Sequence, residues 1–303
     1  MRISTQAASQ SALMDLMRAQ REAFDAREQL STGRKAPDLK GYGNSAEAII
    51  SARSAQVRVD NYVSANTRLG NRLEVQDLAY RELSDSVSEL RETLTTSDGT
   101  FLMNKVQESF DRVVIALNTR FNGSHVFAGV RTDAQPMTVS TIGQLQALGD
   151  PMDAFDNASR RQSTQIDDNL AVDVNATASE VAGDLMGVFR RLADFNDGPD
   201  GPFNGPMTAA QQAFIQTEIT NVIAAFEHVN EAMGENGARQ AKVEASVRGH
   251  EARADYLTRM LADLEDADMA QAATRLTQAQ TAVEVSAATF SILNQASLLP
   301  FLR

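Results

Sequence analysis

The 303-residue sequence has no cysteine and no tryptophan, and aromatic residues make up only 6% of it. The first absence excludes disulfides and thiolate metal sites. It suits a reducing compartment and equally a chain exported unfolded through a narrow channel. Scarce aromatics with abundant Ala, Gln, Ser and Thr suit long helices better than a compact aromatic core. Lys and Arg number 28 against 40 Asp and Glu, and the formal charge is −12. No nucleic-acid partner is expected, because phosphate binding needs clustered cations to displace counterions. The longest uncharged runs are too polar to span a bilayer, so no membrane insertion is expected. Met1 to Gln10 lacks the apolar core of a cleaved secretory signal.

What is present is a heptad-like spacing near both ends. Ala12, Leu16, Ala19, Ala23, Ala26 and Leu30 alternate steps of four and three, with Leu13, Met17 and Phe24 alongside. That pattern draws one seam down a helix. Gly33 is placed to cap it and Pro37 opposes continuation. A second helix is predicted from near Asn44-Ser45 to about Ser97, ~75 Å long at 1.5 Å per residue. Asp98-Gly99 breaks it, and a shorter helix carries Val106, Phe110, Val113 and Leu117.

From Phe121 the period changes. Turns are predicted at Asn122-Gly123 and Gly129, strands at Val126-Phe127 and Met137-Thr138-Val139, and a helix near Ala178 to Ala193. A Gly- and Pro-rich loop from Asn196 to Pro206 follows. Helix returns from about Thr208 to Met233, Gly234 to Gly237 break or bend it, and the next segment carries Val243, Val247, His250 and Leu257. The last segment repeats Met269, Ala272, Leu276, Ala279, Val283, Ser286, Phe290 and Leu293 in three-four steps. Beside that seam lies a second stripe, Val285, Ala288, Ile292 and Leu299. A helix in a simple hairpin buries one face, so the second stripe requires a further partner.

The fold expected is mainly α, an elongated discontinuous helical rod made from paired N- and C-terminal segments, with an inserted small α+β domain. Residues 1–35 and 266–303 are expected to be terminal assembly segments, 36–120 and 207–265 the helical rod, and 121–206 the inserted outer domain. Assembly contacts are assigned to Leu13, Leu16, Ala23, Phe24 and Leu30 at one end and Leu276, Val283, Phe290, Leu293 and Leu299 at the other.

Catalytic, metal and cofactor sites are expected to be absent. His125, His228 and His250 show no metal-ligand spacing, and His250 lies on a helical seam as a packed residue. The acidic loop Asp194 to Asp200 misses the EF-hand order. Gly41-Tyr42-Gly43 lacks the rest of a phosphate fingerprint. Asn122, Asn157 and Asn175 head glycosylation sequons that read as ordinary turns and caps. Asp263, Glu265, Asp266 and Asp268 read as a solvated face or as local partners for Arg259 and Arg275.

Several stretches resemble a known family. Leu30-Ser31-Thr32-Gly33-Arg34-Lys35 is similar to the turn after the first helix of bacterial flagellins and their relatives. Leu264 to Ala270, Leu276 to Gln280 and Leu298 to Arg303 resemble the family's C-terminal signature. The resemblance covers roughly residues 1–130 and 208–303. Within the family, Val126-Phe127-Ala128-Gly129-Val130-Arg131-Thr132 with Pro136 is closer to members that join hook to filament than to filament flagellins. Met137 and the Gly41 to Asn44 region depart from the pattern. The resemblance implies a structural, non-enzymatic subunit of the extracellular flagellum, delivered by type III export. Implied partners are copies of itself in a ring, the first hook-associated protein, flagellin and an export chaperone. Filament flagellin is the alternative, and a cytosolic coiled-coil scaffold a more distant one.

Overall fold

The computed structural model describes the backbone over residues 2–96 and 98–298, with side chains over 7–96 and 98–293. Helices dominate where proline is absent over long stretches. They are α1 (Arg2–Thr32), α2 (Ala46–Thr96), α3 (Leu102–Leu117), α4 (Ile142–Gln146), α5 (Ala178–Asn196), α6 (Ala209–Glu265) and α7 (Met269–Leu298). Among the described residues four short strands interrupt them: β1 (Arg120–Phe121), β2 (Ser124–His125), β3 (Ser163–Asp167) and β4 (Leu170–Asp173). The chain divides into two compact units, one of residues 1–59 with 252–303 and one of residues 60–251. The first unit is therefore discontinuous in sequence.

In the first unit α1 and α7 pair along their lengths. Ala12, Ala19 and Ala26 are buried on one helix, Ala272 and Ala279 on the other. Small side chains let the two backbones approach closely. Gly33 ends α1 in the left-handed region, at φ +70°, its N–H donating to the Gln29 carbonyl at 2.9 Å.

In the second unit α2 and α6 run antiparallel, as Asn66 with Ser246, Leu73 with Asn236, and Ser84 with Asn230 establish. The expected break at Gly234 to Gly237 does not occur, and α6 is continuous there. Two glycines cost a helix about 1 kcal/mol each. Between them Asn236, fully buried, donates Nδ2 to the Leu73 carbonyl at 3.0 Å, and Gln240 donates to the same oxygen at 2.9 Å. Cross-helix anchoring overrides the local preference.

The expected strands at Val126-Phe127 and Met137–Val139 are also corrected. Asn122-Gly123 instead closes the hairpin β1–β2, with φ of +47° and +81° at its two turn residues. Val126, Phe127 and Ala128 are all buried, a run that a half-exposed strand cannot supply. Ala128 and Met137 each make a single bridge, to Thr177 and Phe155. Phe127 meets Tyr80 edge-on at 5.2 Å and Phe110 meets Phe189 at 5.3 Å, at the centre of the core. The hairpin β3–β4 carries an irregularity between Gln165 and Asp167. Beside it the Ile166 carbonyl accepts from Asn66 Nδ2, Ser246 Oγ and His250 Nε2 at 2.8 to 2.9 Å. His250 is buried and stacks on Tyr62, so it is a packing residue.

A capping box starts α5: Thr177 N–H donates to Glu180 Oε2 at 2.9 Å and Glu180 N–H donates to Thr177 Oγ1 at 3.4 Å. Burial pushes the Glu180 carboxyl up, but the Thr177 donors and Arg161 outweigh it and hold it below its ordinary 4.5. The unfolded chain therefore binds this proton more readily. The stability it contributes is present above the ordinary value and is lost as pH falls through the folded value. Glu180→Ala is expected to cost about 0.5–1 kcal/mol at pH 7, with parent and variant converging in urea melts near pH 3.

Candidate assembly interface

Three features of the first unit form the candidate interface: a seam, a latch and an uncovered face. The sequence-assigned residues divide between the first and the last. Leu16, Ala23 and Leu30 are half-buried in the seam, as are Leu276, Val283, Phe290 and Leu293. These hold α1 against α7 within one chain. Leu13 and Phe24 point outward, Phe24 with 66% of its surface exposed. Leu299 lies outside the described residues.

The latch joins two stretches that the sequence presents separately. Lys35 N–H donates to the Glu265 carbonyl at 2.7 Å and Ala267 N–H to the Gly33 carbonyl at 2.8 Å, making an antiparallel bridge at Arg34 and Asp266. Lys35 Nζ donates to the Asp263 and Leu264 carbonyls at 2.6 and 3.1 Å. Its ammonium thus meets the negative end of α6. Asp268 Oδ1 accepts from the Ala270 and Gln271 amides and caps α7. Arg53 Nε and Nη2 donate to the two Glu265 carboxylate oxygens at 2.9 and 2.8 Å, and Glu265 is 7% exposed. The hydrogen bond to Glu265 pushes the Arg53 guanidinium further up.

The reading of these acids as a solvated face holds for Asp263, Asp266 and Asp268, which are exposed, and is corrected for Glu265, which is buried. Glu265 answers Arg53 across 212 positions, Asp268 is a cap, and Arg275 donates to Gln271. Distance along the chain hid the pairing.

The uncovered face is apolar on both terminal helices. On α1 Met14, Met17 and Phe24 recur at three and seven residues, each more than half exposed. On α7 Val285 and Ile292, seven apart, are 60% and 66% exposed. Ile50 and Val57 on α2 and Tyr256 on α6 are similarly bare in the same unit. Sequence reasoning missed Met14, Ile50, Val57 and Tyr256. The seven-residue step from Ile50 to Val57 was the available signal. Apolar groups left in water at regular helical spacing are the mark of a surface that binds protein.

In the second unit the stretch from Phe127 to Pro136 has a structural basis. Gly129 lies at φ +64°, and a Cβ there would stand 2.6 Å from the Arg160 carbonyl oxygen and 2.9 Å from that of Ala158. Arg131 ties the loop to Asp156 at 2.7 Å. Gly129→Ala is expected to cost about 2 kcal/mol or more through strain and clash, read as a lowered urea midpoint with an unchanged slope.

Two family models match this chain: the bacterial flagellin N-terminal helical region over residues 3–132 and the bacterial flagellin C-terminal helical region over residues 219–302. Both halves of the latch fall inside them. Flagellar hook-associated protein 3 of Salmonella typhimurium is 25% identical over 152 residues, 47% of this chain and 48% of that one. The alignment thus spans about half the length of that relative. Among solved structures, a protein of Vibrio parahaemolyticus assigned to the flagellar hook-associated proteins superposes with a TM-score of 0.61 at 16% identity. The match covers 73% of this chain and 97% of that one. Flagellar hook-associated protein 3 of Legionella pneumophila gives 0.59 at 12% identity, over 71% and 98%. At these identities the structures speak for the fold, which is mainly helical with small strand pairs.

Proposed function

Because this chain belongs to the bacterial flagellin family and is a structural component of the flagellum, we propose that it forms the layer joining hook to filament and templates filament growth. The observation that carries this reading is the exposure of Met14, Met17 and Phe24 on α1 and of Val285 and Ile292 on α7, two helices whose shared seam is already closed. A chain that satisfied itself by pairing its ends would not need it. Residues 1–35 and 266–303 act as the terminal assembly segments, 36–120 and 207–265 as the rod, and 121–206 as the outer insert. Neighbouring copies cover the open face within the layer. The first hook-associated protein contacts the layer from the hook side and flagellin from the filament side, and an export chaperone covers α7 before assembly. The role is structural and not enzymatic, and the site of action is the extracellular flagellum.

Deletion of the gene tests this. Cells are expected to bear hooks without filaments and to shed flagellin as monomer into the medium. Near-normal filaments on the deletion strain would overturn the junction role.

A further inference from the structure

Residues 60–251 carry 28 Asp and Glu against 15 Lys and Arg, a net charge of −13, whereas the other unit carries 12 against 13. Among the described residues, eight arginines of this unit hold an acid within 4.0 Å. Arg68, Arg72, Arg91, Arg120 and Arg160 hold none.

Of these, Arg72 and Arg120 meet at His125, and Arg68 lies on the same helix face as Arg72. Arg68 and Arg72 stand one turn apart on α2, and Arg120 comes from β1. Arg72 Nη2 reaches only the His125 carbonyl, at 3.4 Å, and its buried Nε has no partner. Burial pushes its guanidinium down, and no acid acts to hold it up. Arg120 Nε donates to His125 Nε2 at 3.1 Å, so the His125 proton sits on Nδ1, which donates to the Asn118 carbonyl at 3.1 Å. The imidazole is neutral and offsets neither cation. The positions three and four residues from Arg68 and Arg72 hold Ser64, Ala65, Leu69, Asn71, Val75 and Gln76. Asp133 follows Thr132, whose carbonyl accepts the His125 amide, yet it forms no ion pair with any of the three.

Arg72 alone of the three is half-buried, Arg68 and Arg120 being exposed. A half-buried guanidinium without a counter-charge is costly, and a carboxylate is the group its planar fork fits. We propose that the Arg68, Arg72 and Arg120 cluster is the docking point for carboxylates of a second copy of this chain. This rests on the reading above that copies assemble into a layer. A second copy fits because its own unit carries the surplus acids that the cluster lacks. The same contact answers a physical need, since two bodies of −13 repel unless cationic points take up acids between them.

The test uses full-length chain in cells. With p-benzoylphenylalanine at Ser64, one turn before Arg68 and exposed, illumination of intact flagella is expected to give an adduct at twice the 32.9 kDa of the chain. Arg68→Glu with Arg120→Glu is expected to lower the chain retained in sheared flagella roughly tenfold or more. Export into the medium and the melting temperature of the purified variant should stay near the parent's. Arg68→Lys with Arg120→Lys should recover part of the retention. Unchanged retention, or an adduct with a protein of different mass, overturns the proposal while leaving the junction role standing. Absence of the parent chain from sheared flagella overturns both.

Discussion

Val285→Ser combined with Ile292→Ser is expected to remove the chain from assembled flagella while leaving its own helix pairing intact. Both side chains are mostly exposed in the single chain, at 60% and 66%, so the substitutions spare the buried seam residues Ala272 and Ala279. Full burial of a Val or Ile side chain is worth roughly 1.5–3 kcal/mol, so the pair is worth about 3–6 kcal/mol in assembly. That is a loss of roughly a hundredfold to ten-thousandfold in affinity. Ala279→Asp is the contrasting variant: Ala279 is buried in the seam, and a carboxylate there opens α1 from α7. Circular dichroism of the monomer separates them, since helicity should fall for Ala279→Asp alone. Retention of the double serine variant in sheared flagella at the parent's level would sink the assignment of this face to assembly.

Those two outcomes follow the line between what was legible in the sequence and what was not. The seam was legible because Ala12 to Leu30 and Ala272 to Leu293 keep one period over several turns, and a period is a local property. The surplus stripe was legible for the same reason: Val285 and Ile292 are out of phase with Leu276 and Val283. Phase did not sort the assigned residues. Leu13 and Leu16 were named together, yet three positions apart on α1 one is exposed and the other half-buried.

The latch could not be derived from either end alone. Gly33 to Lys35 and Asp263 to Asp268 were each readable as a helix stop and an acidic bend. Their union depends on two chain ends meeting across more than two hundred residues. The insert was hardest, because there tertiary packing outweighs local preference. Val126 and Phe127 have strand propensity and are spent on the core, while the strands form where an Asn-Gly turn and a three-donor carbonyl hold them. The continuity of α6 through Gly234 and Gly237 has the same cause, since helix propensity does not see Leu73 across the pair.

Arg191→Ala is expected to be among the most damaging single changes in residues 60–251, costing about 3–5 kcal/mol, although Arg191 itself is half exposed. Its Nε and Nη2 donate to the Glu218 oxygens at 2.8 and 2.9 Å and tie α5 to α6. The hydrogen bond to Glu218 raises the guanidinium's affinity for its proton despite burial, and Asp184 adds to it. The two partners differ in access to water. The Arg191 side chain keeps 46% of its surface, whereas Glu218 keeps 2%. Without Arg191 the carboxylate is left buried with no counter-charge. Without Glu218 the long arginine can swing its head into solvent and keep its stem packed. Glu218→Gln should therefore cost only about 1 kcal/mol, the scale of one ordinary hydrogen bond. Arg191→Met with Glu218→Leu should regain most of the loss, since hydrophobic replacement of both members of a buried pair is often neutral. Urea denaturation of the four proteins measures the asymmetry. Equal costs for the two single variants would mean that solvent reaches Glu218, and that the pair ties the helices by geometry rather than by mutual dependence of charge.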